Sequence, residues 1–423
     1  MEDAKQQIGR RAFLGVAGGL TILKPQVVRG TAANSAVRIG LLGCGGRGTV
    51  DAEGMITSGG ARLVALADLF GDQLAAARKR FDALAEKNGT AGVDKAQVFS
   101  GPRAFEQMAQ CKEVDAVVIA SPPYFHPEHL AAVVEAGKHA YCEKPVAVDV
   151  AGCRRVFEIG AKAHRRLSLD VGFQIRMAPP FVELVRRIHG GALGEIAFAE
   201  AHYFCGVLGR EESTVPSPVE RRLRNWVEDR VLSGDVIVEQ HIHVIDICNW
   251  VLQNHPVKAV GMGGRKGRSD EGNAYSHFSV QFTYPNDVHV GFNGTQFGKG
   301  GFDANERFFG PRGNSSSPYS GPLLITGDEA WTWGGGGQTP GTQFSATGSF
   351  TGNLDQADPE KHKAFIQSIT SGKFHNQAAT GAESALTAIL GRMAAYTGRE
   401  ATWDEMMRGN ESWNSEIDLN KLT

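Results

Sequence analysis

From Ala36 to about Arg165, short apolar runs alternate with longer segments of helical period. The runs are Val37–Leu42, Leu63–Ala67, Gln97–Ser100, Ala116–Ala120 and His139–Cys142, and helical patterns such as Asp72–Lys87, Pro127–Ala136 and Asp149–Arg165 lie around them. Strands that are apolar throughout, separated by helices, predict a parallel sheet with right-handed crossovers and both faces covered. The pattern then changes. A strand over Leu167–Phe173, a helix over Pro180–His189 and a strand over Glu195–Tyr203 precede a polar, arginine-rich stretch from Gly206 to Arg230. An apolar helix fills most of Ser233–Leu252. Phe278, Val280 and Phe282 alternate with Ser279, Gln281 and Thr283, and Pro285-Asn286-Asp287 turns the chain into Val288, Val290 and Phe292. That is an antiparallel hairpin with one buried face. Gly298–Gly321 and Gly334–Gly352 read as loops, Leu323–Thr326 and Ala330–Trp333 as strands, and Glu360–Thr370 and Ala379–Tyr396 as helices; Thr402 and Glu405 form a capping box. The fold class is α/β: a nucleotide-binding domain over 36–158 and a mixed α+β domain over 159–405, with a tail over 406–423.

A chain of 423 residues is too long for one ordinary core, which agrees with two domains. A net charge of −2 gives no reason to expect nucleic acid or an acidic membrane surface as a partner. The six cysteines are scattered without C-x-x-C spacing, so buried free thiols are expected rather than a disulfide framework or a zinc site.

The first apolar strand ends in Gly43, Gly45 and Gly48, a G-x-G-x-x-G spacing that opens a helix. Gly43 permits the tight turn, Gly45 lets backbone approach a pyrophosphate, and Gly48 lets helix and strand pack closely. Gly46 belongs to the same turn, and the helix amides behind it face the phosphates. Arg47 either touches the pyrophosphate or is solvated. The second strand ends in Asp68, where a carboxylate accepts from an adenosine ribose and repels a 2′-phosphate. NAD is therefore the expected cofactor, the other reading of Asp68 being a helix cap.

Two further loops follow strand C-termini, where ligands of such sheets lie. In Ser121-Pro122-Pro123-Tyr124-Phe125-His126 the prolines stiffen a cofactor-lining loop. In Glu143-Lys144-Pro145, both charged side chains point into the crevice. Further on, Glu239, His243 and Asp246 stand at i, i+4 and i+7 of an apolar helix, on one face. Three titratable groups there are costly to bury unless they face a cleft and one another. His241 points nearly the opposite way, which argues against a His-x-His metal site, and no metal is expected. Gln174 and Arg176, after the sixth strand, are candidate substrate contacts with His241. Arg224 and Trp226 form either a substrate wall or a solvated loop.

At the N-terminus, Arg10-Arg11-Ala12-Phe13-Leu14 and the mildly apolar Ala12–Leu23 are too short to span a bilayer and have the flanks of an export signal. The arginine pair with its following Phe-Leu resembles a Tat signal, so residues 1–35 are set apart from the fold, with a periplasmic or extracytoplasmic destination expected. A fortuitous basic tail is the alternative.

The glycine loop, Ser121-Pro122-Pro123, Glu143-Lys144-Pro145 and Glu239-x-x-x-His243-x-x-Asp246 together resemble the Gfo/Idh/MocA oxidoreductase family, over about Val37 to Glu405. The resemblance implies an N-terminal Rossmann dinucleotide-binding domain and a C-terminal α+β domain whose open, mainly antiparallel sheet often makes oligomer contacts, hence a homo-oligomer (dimer or tetramer). It places Lys144 beside the nicotinamide and the reacting hydroxyl, and His243 at the acid/base position. Glu239 stands where the family usually has aspartate, and His241 where it often has glycine. The implied activity is hydride transfer between NAD and a carbinol of a sugar, sugar derivative or polyol. Export adds that the dinucleotide should be tightly held and regenerated in place, because no nicotinamide pool exists outside the cytoplasm. A redox-neutral, NAD-dependent glycoside hydrolase is the alternative activity. A non-catalytic sugar-binding protein is the third reading, and Lys144 and His243 speak against it.

Overall fold

The computed structural model describes residues 36–208, 217–333 and 350–422, so the twin-arginine segment and most of the loop expected over Gly334–Gly352 lie outside the described residues. The first layer is a six-stranded, wholly parallel sheet of β1 (Arg38–Leu42), β2 (Arg62–Asp68), β3 (Val98–Ser100), β4 (Ala116–Ile119), β5 (His139–Cys142) and β6 (Leu169–Val171). Its order is β3-β2-β1-β4-β5-β6. Chain direction across the sheet reverses between β1 and β4, which opens a crevice at their carboxyl ends. Helices α1 (Gly46–Gly59), α2 (Gly71–Lys87), α3 (Ala104–Gln110), α4 (His126–Glu135) and α5 (Val150–Ala163) make the crossovers. Ile39, Leu41, Leu42 and all of β4 are buried, as a sheet covered on both faces requires.

The expected domain boundary at 158 falls short. β6 completes the parallel sheet, and α11 (Ala357–Ser371), from near the end of the chain, packs back on α1. The 406–423 segment is likewise no free tail. Arg392, fully buried on α12 (Ala378–Thr397), pairs with Glu411 and lies over the Trp413 ring at 3.8 Å.

The second layer is a nine-stranded open sheet that runs from β14 (Trp331–Thr332) at one edge to β15 (Ala401–Thr402) at the other, ordered β14-β13-β12-β11-β7-β10-β9-β8-β15 and antiparallel except where β7 (Phe198–Cys205) meets β10 (Val288–Gln296). β8 is Lys258–Gly264 and β9 is His277–Tyr284. Two of its strands, β11 (Asp303–Gly310) and β12 (Gly313–Ser316), fall where a loop was expected. Their sequences, Asp-Ala-Asn-Glu-Arg-Phe-Phe-Gly and Gly-Asn-Ser-Ser, lack alternation. Pairing with β7 and β13 (Leu324–Gly327) makes them strands, which local propensity does not.

The register places Val260 opposite Gln281, Gly291 and Glu200 in turn, and Met262 opposite Ser279, Asn293 and His202. These residues share the outer face, while Ala259, Phe282, Val290 and Ala199 face inward and are buried. Among the described residues, no helix is long and apolar enough to cross a membrane. All six cysteines are buried and unpaired.

Candidate active site

The glycine loop shows where a dinucleotide fits. Gly43 has φ 95°, and a Cβ on it would lie 2.5 Å from the Ala120 carbonyl carbon. A Cβ on Gly48 would lie 2.2 Å from the Gly43 carbonyl oxygen, whereas at Gly45 nothing lies within 4 Å. The first two positions are glycine for packing; the third faces open space beside the start of α1, where the free amides of the helix can meet a diphosphate. Asp68 completes the corner. Its carboxylate accepts from the Cys44 amide at 2.7 Å and the Phe70 amide at 2.9 Å, and burial raises its pKa. It is not the cap of α2, whose N-cap residue is Phe70, and lone pairs remain for ribose hydroxyls. The cleft continues past Ser121 and Pro122, with His129 donating to or accepting from the Ser121 hydroxyl at 2.9 Å. His126 fixes this loop to the next, bridging the carbonyls of Ser121 and Pro145 at 2.6 and 2.7 Å. Burial lowers its pKa although both acceptors favour the charged ring.

Where the cleft ends, a second pocket brings together Arg47, Ser121, Pro123, His126, Glu143, Lys144, Gln174, Trp226, Glu239, Gln240 and His243. Lys144 and His243, 99 positions apart in the sequence, thus share one pocket. The expected single helix is broken: α9 (Val236–Glu239) stops, and α10 (Ile242–Leu252) starts afresh. The amides of both Gln240 and His241 turn to the Val236 carbonyl, and Asp235, at φ 74°, caps α9. As the last residue of α9, Glu239 presents its carbonyl outward, and Lys144 Nζ donates to it at 2.7 Å. Lys144 is joined to Pro145 by a cis peptide bond. Glu239 Oε2 and His243 Nδ1 are buried without a partner among the described residues. Burial raises the Glu239 pKa against the pull of Lys144. Burial holds His243 well below the usual imidazole range, and the charges of Lys144 and Arg47 press it the same way. The ring is neutral at ordinary pH and can accept a proton.

Arg47 is neither solvated nor aimed at a diphosphate. Its guanidinium bonds Glu143 at 3.0 Å, Asp51 at 3.0 Å and Asp358 at 2.8 Å. Asp51, Asp358 and His362 approach closely enough to ligate a metal, but the cation among them is this guanidinium. Glu143 in turn accepts from the Lys144 amide at 3.0 Å, which sets the backbone of the catalytic candidate. A Cβ on Gly172 would lie 2.3 Å from Glu143 Oε1. Gly172→Ala is therefore expected to cost about 1–3 kcal/mol in an unfolding titration. A smaller loss would mean that the buried ion cluster shifts freely.

Four expectations about substrate contacts and the helix face are corrected. Asp246 does not line the pocket that Glu239 and His243 share. It pairs with Arg176 at 2.7 Å and accepts from Ser384, so Arg176 is spent on the same pair. His241 packs against Gly294, Tyr203 and Phe292, outside the pocket, and burial lowers its pKa to about 3. Arg224 lies along the dinucleotide cleft, with Leu223 and Leu419. Gln174 and Trp226 do line the inner pocket. Gln240 also lines it, its amide donating to the Tyr203 hydroxyl at 2.6 Å; an apolar helix with one glutamine carries no signal for that role.

A phosphate-accommodating glycine turn, a ribose-side carboxylate and a neutral histidine beside a lysine define a dinucleotide-dependent oxidoreductase of two sheets. Residues 37–171 match the model of the oxidoreductase family with an NAD-binding Rossmann fold, and 181–315 match the GFO/IDH/MocA C-terminal domain. Between them these cover well over half of the chain, which belongs to the Gfo/Idh/MocA family, with NAD as its cofactor. It is 29% identical to inositol 2-dehydrogenase of Acidothermus cellulolyticus over 56% of this chain and 59% of that one. It is 26% identical to the Rhizobium meliloti inositol 2-dehydrogenase over 69% and 79%. The chain thus spans under two thirds of the first relative's length and about four fifths of the second's. Among solved structures, scyllo-inositol dehydrogenase of Lactobacillus casei with NAD(H) and scyllo-inositol superposes with a TM-score of 0.66 at 17% identity, over 87% of this chain and 99% of that one. Aldose-aldose oxidoreductase of Caulobacter crescentus with glycerol gives the same score, identity and coverage, and both likenesses speak to fold alone.

Proposed function

We propose that this protein oxidises or reduces a carbinol carbon of a sugar, sugar derivative or polyol, using a tightly held NAD(H). The supporting observation is that Lys144 and a neutral His243 line one pocket at the inner end of the dinucleotide cleft. NAD, when bound, supplies the hydride acceptor. Lys144 spends one N–H on the Glu239 carbonyl and keeps two for the reacting oxygen, whose negative charge it stabilises as the proton leaves. His243 Nδ1 takes that proton. Glu239 Oε2 accepts from a neighbouring hydroxyl, which selects a polyhydroxylated substrate over a simple alcohol. The curated inositol dehydrogenases among the relatives agree with a polyol.

Mass spectrometry of the small molecules released on denaturation should find NAD(H), and a panel of inositols and free sugars should change the absorbance of the bound cofactor. A protein that carries no nucleotide and binds added NAD only weakly would falsify this reading. Release of a nitrophenol from an aryl glycoside without net NADH would replace it by redox-neutral hydrolysis, which none of the relatives named above suggests.

Two wider readings accompany it. Export by the twin-arginine route rests on Arg10-Arg11, and lysine at both positions should leave the protein inside the cell. Self-association is supported by the outer face of the nine-stranded sheet, where Phe198, Val260 and Met262 are exposed. Met262→Glu should lower the mass seen by light scattering, and an unaltered oligomer would exclude that face.

A further inference from the structure

One wall of the dinucleotide cleft comes from a segment far along the chain. Helix α7 (Pro218–Arg224), capped by Ser217, buries Leu223 and delivers Arg224 to the corner after β2. Across 152 residues of sequence, the two terminal nitrogens of Arg224 bond the Asp72 carboxylate at 2.9 and 3.0 Å. Its Nε bonds Glu220 at 2.8 Å, and the guanidinium lies over the Phe70 ring at 4.0 Å. A planar fork with both tips on one carboxylate and its face on a ring has little freedom left, and its side chain is only 12% exposed. Phe70 and Asp72 flank the start of α2, next to Asp68, at the ribose end of the cleft. Trp226, two residues beyond Arg224, lines both this cleft and the pocket of Lys144 and His243. The same segment therefore runs along both compartments. A dinucleotide spanning them cannot leave on that side until the segment lifts.

We propose that Arg224 is a latch, fastening the 217–226 segment to the Phe70–Asp72 corner so that the dinucleotide dissociates more slowly than the enzyme turns over. This rests on the dinucleotide reading above and adds the residue that enforces retention. It also gives the arginine-rich stretch a task other than substrate contact. Retention in this form depends on an ion pair whose Asp72 side is 62% exposed, so added salt should loosen it.

The test uses the full chain loaded with NADH, followed by energy transfer from tryptophan to bound NADH after a chase with excess NAD. Arg224→Ala and Asp72→Asn should each raise the dissociation rate at least tenfold, about 1.4 kcal/mol in barrier. Raising the salt should speed release from the wild type and leave Arg224→Ala unchanged. Melting temperatures check that the variants are folded; if Arg224→Ala is not, Asp72→Asn decides alone. A folded variant that releases NADH at the wild-type rate overturns the latch and leaves the proposed function standing. A wild-type protein with no measurable affinity for NADH sinks both.

Discussion

Lys144→Met should reduce kcat about a thousandfold, roughly 4 kcal/mol in barrier, while the bound dinucleotide and the melting temperature stay near wild type. Methionine keeps the length of the stem and removes only the charge. What disappears is the donor that faces the developing alkoxide, an interaction made mainly in the transition state, so kcat should fall more than KM rises. The Glu239 carbonyl also loses its 2.7 Å donor, but it borders a pocket that water can enter, which limits the structural cost. Steady-state kinetics on whichever polyol turns over, with the nucleotide content assayed in parallel, separates the two effects. Full turnover in this variant would remove Lys144 from the chemistry and leave the pocket without its electrostatic element.

Acid should destabilise the protein through its buried imidazoles. His241 is wholly buried with a pKa of about 3, and burial holds His243 well below the usual value. In the unfolded chain both titrate near 6.5, so below that pH the unfolded state binds more protons than the native one. Stability is then lost as pH falls through about 6.5, by roughly 2 kcal/mol at pH 5 from His241, with His243 acting in the same direction. Buried carboxyls with raised pKa, such as Glu239 and Asp235, act in the opposite direction. A difference measurement cancels them. In urea titrations at pH 7 and pH 5, His241→Gln should lose about 2 kcal/mol less than the wild type over that interval. Equal losses would mean that the ring titrates normally in the native state.

The parallel sheet could be read from the sequence because its cause is local. A strand covered on both faces is apolar throughout, and the intervening helices carry their own period, so β1, β2, β4 and β5 announce themselves. Gly43, Gly48 and Asp68 were legible for the same reason, since turn, close packing and strand end lie within one βαβ unit. The pairing of Lys144 with His243 is implied by the family resemblance and by the place of Lys144 at a strand end, not by spacing.

The rest depended on partners distant in sequence. Arg47 finds Asp358 across 311 residues and Arg176 finds Asp246 across 70, and no periodicity encodes which carboxylate a guanidinium meets. The break after Glu239 interrupts an apolar run without proline or glycine, so nothing local announces it, and Asp246 is taken out of the pocket by its pairing with Arg176. β11 and β12 are strands because β7 and β13 offer them hydrogen bonds, and Leu419 reaches the cleft because Arg392 anchors the segment before it. Sequence alone determined the strand–helix alternation, the phosphate turn and the types of residue available for chemistry, all consequences of steric and solvation rules that act over a few residues. Tertiary structure decided which charges neutralise each other and which remain for a substrate. Burial sets the cost of every unpaired charge, and burial exists only once distant segments have packed.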